Sequence, residues 1–168
     1  MQNIEIKARC HDLDAVRQRL AERGITLVEQ MCQVDTYFAV SHGRLKLREV
    51  EGKQAQLIQY DRPDALAARA SDYVIARVSD PALLKDALSR ALGIRTVVEK
   101  QRELYLWGQT RVHLDEVAGL GSFLELETVI IGQTQEVAER ECREVQAALE
   151  IQKGELLATS YVDLMGQQ

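Results

Sequence analysis

The segment Arg44-Leu45-Lys46-Leu47-Arg48 alternates strictly between cations and leucines. In an extended strand successive side chains point to opposite faces, so the three cations share one face at repeats of about 7 Å. Such a row is costly through mutual repulsion unless an anion is expected there. The same alternation recurs along the chain. Ile4–Arg9 sets Glu5, Lys7 and Arg9 against Ile4, Ile6 and Ala8, and Lys100 and Arg102 lead a later hairpin. Arg111, His113 and Asp115 alternate with Val112 and Leu114, and Glu125 and Glu127 alternate with Leu124 and Leu126. Two architectures accommodate the pattern. An open antiparallel sheet would pack its apolar face on helices and show its charges to water; a closed sheet would turn the charges inward. Segregation of Lys and Arg by strand favours closure, because a face made only for solubility would mix the signs.

The remaining elements follow from caps and breakers. Asp12 caps a helix over Leu13–Arg23 that Gly24 stops, and Asp80-Pro81 opens a second over Ala82–Leu92. Thr134 caps a third that reaches about Leu149. Strands are expected over Gln30–Val40, Arg44–Val50 (with Val50 joining the leucine side after a slip), Gln54–Tyr60 and Tyr73–Val78. Further strands are expected over Thr96–Trp107, Gln109–Val117 and Ser122–Val129, with a short tail strand around Ser160–Leu164. Ser41-His42-Gly43 and Glu51-Gly52-Lys53 read as turns. About eight strands and three helices make an α+β fold, and 168 residues without a compositional break suit a single domain over 1–168.

The bulk charge, −5, does not suggest a broad nucleic-acid or membrane surface, so any bound polyanion needs locally concentrated cations. No apolar run approaches the roughly 20 residues of a membrane span, and the first residues lack signal-peptide regions. Cys10, Cys32 and Cys142 are odd in number and scattered, as are His11, His42 and His113. A reduced, cytoplasmic compartment without structural zinc is expected. Cations for phosphate oxygens beside carboxylates for a divalent metal are the division of labour that phosphoryl or nucleotidyl transfer requires. His113 shares the charged face, although a lone strand histidine is more often structural; Tyr37 and Tyr60 read as wall residues.

Asn3-Ile4-Glu5-Ile6-Lys7 resembles the Glu-x-Glu-x-Lys opening of the CYTH, or triphosphate tunnel metalloenzyme, superfamily. Gln33-Val34-Asp35-Thr36-Tyr37-Phe38, Arg44-x-Lys46-x-Arg48, Lys100-x-Arg102, Asp115 and Glu125-x-Glu127 follow in that family's order. Tyr60-Asp61-Arg62-Pro63-Asp64 and Leu120-Gly121-Ser122-Phe123 make the class IV adenylyl cyclase-like branch the most similar. The resemblance implies an eight-stranded antiparallel closed β-barrel, a triphosphate tunnel, with helices packed outside. It implies that Lys7, Arg48, Lys100 and Arg102 act on the phosphates as catalytic cations, with Arg9, Lys46, Arg62 and Arg111 binding substrate. Glu5, Asp115, Glu125 and Glu127 would hold Mg²⁺ or Mn²⁺. The implied partner is ATP or tripolyphosphate, with no nucleic acid and no membrane, and a homodimer is open by resemblance alone. Two departures stand out. Asn3 occupies the usual place of the first glutamate, and Asp61 the place where many members carry a phosphate-binding lysine. The expected reaction is ATP cyclisation with release of pyrophosphate. Hydrolysis of an inorganic or organic triphosphate and a non-catalytic triphosphate-binding module are the alternatives. Ala65–Ala70 is a candidate loop for base recognition.

Overall fold

The computed structural model describes residues 2–61, 69–158 and 160–166; Arg62 and residues 65–68 of the candidate loop lie outside them. Eight strands are present: β1 (Gln2–Arg9), β2 (Leu27–Phe38), β3 (Arg44–Val50), β4 (Ala55–Asp61), β5 (Arg69–Val78), β6 (Ile94–Trp107), β7 (Thr110–Val117) and β8 (Gly121–Val129). The α-helices are α1 (Leu13–Glu22), α2 (Pro81–Leu92), α3 (Gln135–Ala148) and α4 (Tyr161–Met165). The first three start where the sequence places them. The carboxylate of Asp12 accepts from the Ala15 amide at 2.9 Å, that of Asp80 from the Leu83 amide at 3.0 Å, and the Thr134 hydroxyl from the Val137 amide at 3.4 Å.

All the strand pairs are antiparallel, in one strongly curled sheet. The hydrogen-bonded order is β1-β5-β4-β3-β2-β6-β7-β8, and β8 pairs back onto β1. Among the described residues, the seam of β1 with β5 runs from Gln2 opposite Asp72 to Glu5 opposite Arg69. The turn between β2 and β3 is fitted against the end of β4. Gly43 sits at φ +62°, and a Cβ there would come within 2.7 Å of the Tyr60 carbonyl oxygen, so only glycine fits.

Apolar side chains point outward to the helices. Ile4, Ile6, Val112, Leu114, Leu124 and Leu126 form a core with Leu13, Val16 and Leu20 of α1 and Ala138, Cys142 and Val145 of α3. Leu84 and Leu88 of α2 cover Phe38, Leu47 and Ala55. Burial of these stripes, at about 25 cal/mol per Å² of apolar surface, favours the arrangement that leaves the charged faces turned inside. The opposite, charged face is concave, and Lys7, Lys46, Lys100 and Arg102 on it are buried, so it is not spread to water as in a flat sheet.

Two expectations are corrected. Residues 160–164 form the start of α4, not a strand: the Ser160 hydroxyl and amide donate to the Asp163 carboxylate, at 2.7 and 3.3 Å, and stabilise a helical turn. β3 has no slip at Val50. It pairs regularly with β2 from Phe38–Leu45 to Gln33–Val50, and Val50 lines the cavity with Lys46 and Arg48.

Candidate functional site

The curled sheet encloses a cavity of about 680 Å³. Its cationic side comes from β3 and β6, which flank β2. Lys46, Lys100 and Arg102 are 8%, 7% and 5% exposed, and Lys7 of β1 is 7% exposed. Lysine and arginine are almost never buried to this extent without partners. Two buried aspartates meet that need. Asp35, opposite Arg48 in the β2–β3 ladder, accepts from Lys46 Nζ at 2.7 Å and from Arg48 Nε at 3.1 Å. Asp115, opposite Arg102 in the β6–β7 ladder, accepts from Arg102 Nε and Nη2 at 2.6 Å each and lies 3.4 Å from Lys100 Nζ. Each carboxylate thus braces one arginine and one lysine.

One negative charge cannot neutralise two cations, and arginine does not give up its proton. The lysines yield instead. Burial, reinforced by Arg48, pushes the Lys46 pKa down to about 7 against the pull of Asp35. Burial and Arg102 push Lys100 down to about 8. Burial alone would raise the two aspartates, but Arg48 with Lys46, and Arg102 with Lys100, outweigh it and hold both well ionised. The result is a rigid array with positive charge in excess, suited to an anion that brings several negative charges.

The acidic side is built by β1 and β8, with β7 beside them. Glu125 pairs with Lys7 at 3.2 Å and with Arg102 at 3.4 Å. Burial opposes its ionisation, yet Lys7 and Arg102 hold it well below the usual carboxylate range. Glu127 lies opposite Glu5 in the β1–β8 ladder, and burial followed by repulsion from Glu5 raises its pKa. Asn3 donates its side-chain amide to Glu127 and is 2% exposed, while its Oδ1 has no hydrogen-bond partner. His113 Nδ1 also lacks one and lies 4.0 Å from Glu125. Burial and Arg102 push His113 well below its usual range, so it stays neutral.

Most of the residues singled out from sequence converge here. Glu5, Lys7, Lys46, Arg48, Lys100 and Arg102 line the cavity, and so do Arg111, Glu125 and Glu127. Arg9 and Asp115 are not in its lining. Arg9 stacks over the Phe123 ring at 5.2 Å and donates to the Leu120 carbonyl at the end of β1. Asp115 is fully buried behind Arg102, with its oxygens taken by Arg102, Lys100 and Tyr161. Of the four carboxylates expected from sequence to hold a metal, Asp115 is thus the one turned to Arg102, Lys100 and Tyr161, while Glu5, Glu125 and Glu127 face the cavity. Arg44 points to the tail, where it pairs with Asp163 at 2.7 Å. Arg62 lies outside the described residues.

Sequence reasoning passed over Asp35 and Tyr161. Asp35 was legible in principle, since Gln33, Asp35 and Tyr37 alternate on one face of β2. Tyr161 carried no such signal. For a hard divalent cation, Asn3, Glu5, Glu125 and Glu127 supply suitable oxygens. The orphaned Asn3 Oδ1 and the repelled Glu127 mark where a positive charge would be welcome. Among the described residues, no three His, Cys, Asp or Glu side chains are gathered into a ready metal cluster.

The CYTH domain model matches residues 1–161. A protein of Methanocaldococcus jannaschii named as a candidate adenylate cyclase is 27% identical over 99% of both chains. Among solved structures, the PH1012 protein of Pyrococcus horikoshii superposes with a TM-score of 0.87 at 20% identity, covering 96% of this chain and 98% of that one. A Hippeastrum protein, described as an adenylyl cyclase candidate with a dominant triphosphatase activity, gives a TM-score of 0.64 at 18% identity over 98% of this chain and 95% of that one.

Proposed function

Because this chain belongs to the CYTH domain family, we propose that it is a divalent-metal-dependent enzyme acting on a triphosphate-containing small molecule held inside the curled sheet, as in a tunnel closed around its substrate. The observation that carries the reading is the set of buried cations Lys7, Lys46, Lys100 and Arg102 around one cavity, braced by Asp35 and Asp115. Burying so much positive charge opposes folding, and a ligand with several phosphate charges offsets that cost.

Lys46, Arg48, Lys100 and Arg102 grip phosphate oxygens through charge-assisted hydrogen bonds. Lys7, already against Glu125, spans the cationic and acidic sides. Asn3, Glu5, Glu125 and Glu127 would hold Mg²⁺ or Mn²⁺, which when bound supplies charge neutralisation at the phosphates. Asn3 contributes a neutral amide oxygen where a carboxylate would bind more strongly.

The first reading of the chemistry is conversion of ATP to cyclic AMP and pyrophosphate. Ile58, Tyr60, Tyr73 and Ile75 on β4 and β5 support it, because they add an apolar, aromatic side to the cavity that suits a nucleoside. Hydrolysis of a triphosphate is the second reading, favoured by the activity named for the Hippeastrum neighbour. The test is parallel incubation with ATP and with tripolyphosphate in the presence of Mg²⁺ or Mn²⁺. Cyclic AMP with pyrophosphate identifies the cyclase, and orthophosphate from either substrate identifies the hydrolase. Tight binding without product leaves a binding module, and absence of both binding and turnover overturns the proposal.

A further inference from the structure

The end of the cavity near the C-terminus is formed by a tail that makes specific contacts with the cationic side. The Leu157 amide donates to the Lys7 carbonyl at 2.8 Å, bringing the chain alongside β1. The Asp163 carboxylate then pairs with Arg44 at 2.7 Å and with Arg95 at 3.0 Å, anchoring α4 to β3 and β6. Between these ties Tyr161 is 3% exposed and sits edge-on to Phe123, with ring centroids 5.0 Å apart.

Tyr161 touches both layers of the cationic array. Lys7 Nζ lies 3.5 Å from its ring centroid and Lys100 Nζ 4.9 Å. Both are within the range in which a desolvated ammonium is attracted to an aromatic face. Its hydroxyl donates to Asp115 Oδ2 at 2.8 Å, the oxygen that also receives Arg102 Nη2 at 2.6 Å. One side chain therefore restrains two lysines directly and one arginine through its carboxylate. A residue serving only to fill the end of the barrel has no need of these polar contacts.

We propose that Tyr161 is a positioning residue of the phosphate-binding array: its ring sets the ammonium groups of Lys7 and Lys100, and its hydroxyl fixes Asp115 and thereby Arg102. The inference rests on the reading of this cavity as a triphosphate site. It extends that site to the C-terminal helix, which contributes geometry and no charge of its own to the grip.

The experiment measures tripolyphosphate affinity calorimetrically on the full chain, with melting temperature recorded for each variant. Tyr161→Leu removes ring and hydroxyl and is expected to weaken binding by about tenfold. Tyr161→Phe keeps the ring and is expected to lose only about threefold. Val162→Ala, at the neighbouring buried position in the apolar cluster of Tyr37, Val98, Val117 and Phe123, is expected to lower the melting temperature while leaving affinity unchanged. Equal losses in Val162→Ala and Tyr161→Leu, or no loss in Tyr161→Leu, overturn the proposal. If Tyr161→Leu does not fold, Tyr161→Phe carries the test, and unaltered affinity there overturns it. If the unaltered chain binds no tripolyphosphate, the triphosphate reading fails separately. The positioning role is then judged from the lysine side-chain NMR resonances. A ring-current displacement of Lys7 kept in Tyr161→Phe and lost in Tyr161→Leu supports it; where Tyr161→Leu does not fold, its presence in both the unaltered chain and Tyr161→Phe is the supporting result. Absence of that displacement from the unaltered chain, or its survival in Tyr161→Leu, overturns the role.

Discussion

Binding of a triphosphate should draw protons from solvent, because the empty site holds lysines that have partly surrendered theirs. With Lys46 at about 7, the protonated fraction is about half at pH 7 and about a tenth at pH 8. For Lys100, at about 8, it falls from about nine-tenths to about half over the same interval. If the ligand binds the form in which both are charged, the competent population drops about tenfold between pH 7 and pH 8, equivalent to about 1.4 kcal/mol of affinity. Tripolyphosphate also titrates, so a variant is needed to isolate the protein's share. Lys46→Arg keeps the positive charge but cannot give up its proton. Calorimetry in buffers of different ionisation enthalpy counts the protons taken up on binding. The unaltered chain should take up more than Lys46→Arg, by about 0.5 proton at pH 7 and about 0.9 at pH 8. A difference below about 0.1 at both pH values would refute the argument that Asp35 leaves Lys46 short of charge compensation.

The same depressed lysines set the pH dependence of stability without ligand. Their folded pKa values lie below the unfolded ones, so the unfolded chain binds more protons above about pH 7, and stability should rise from pH 7 towards pH 9 in urea titrations; a flat or falling profile contradicts this. Asp35→Asn leaves the buried Lys46 and the half-buried Arg48 without their carboxylate and should cost about 3–5 kcal/mol of unfolding free energy. A loss below about 1 kcal/mol would show that the brace is dispensable. Glu127→Gln relieves the repulsion with Glu5 that raises the Glu127 pKa, so the chain should gain slightly in stability at pH 7, and the gain should shrink as the pH falls and Glu127 takes up its proton; a gain that stays constant contradicts this. The same variant should bind Mn²⁺ at least about tenfold more weakly, and an unchanged metal titration removes Glu127 from the ligand set.

Strand alternation, caps and the order of charged rows were written in the sequence because each is local. The period of two puts Arg44, Lys46 and Arg48 on one face whatever lies around them, and Asp12, Asp80 and Thr134 open helices through amides only a few residues away. Which charges meet was decided by register and curvature. Asp35 braces Arg48 because β2 and β3 pair with those residues opposite, and Asp115 sits behind Arg102 for the same reason in β6 and β7. Arg9 and Arg44 follow the same alternation as their neighbours, yet near strand ends they find Phe123 and Asp163 instead of the cavity. The tail shows the limit most plainly. Ser160 and Asp163 form a capping pair that local reading could have found, but the placement of Tyr161 beneath Lys7 and Lys100 exists only once strands far apart in sequence curl around a common space. Side-chain period is a property of the backbone, whereas charge compensation depends on distances between segments, and only the folded sheet sets those.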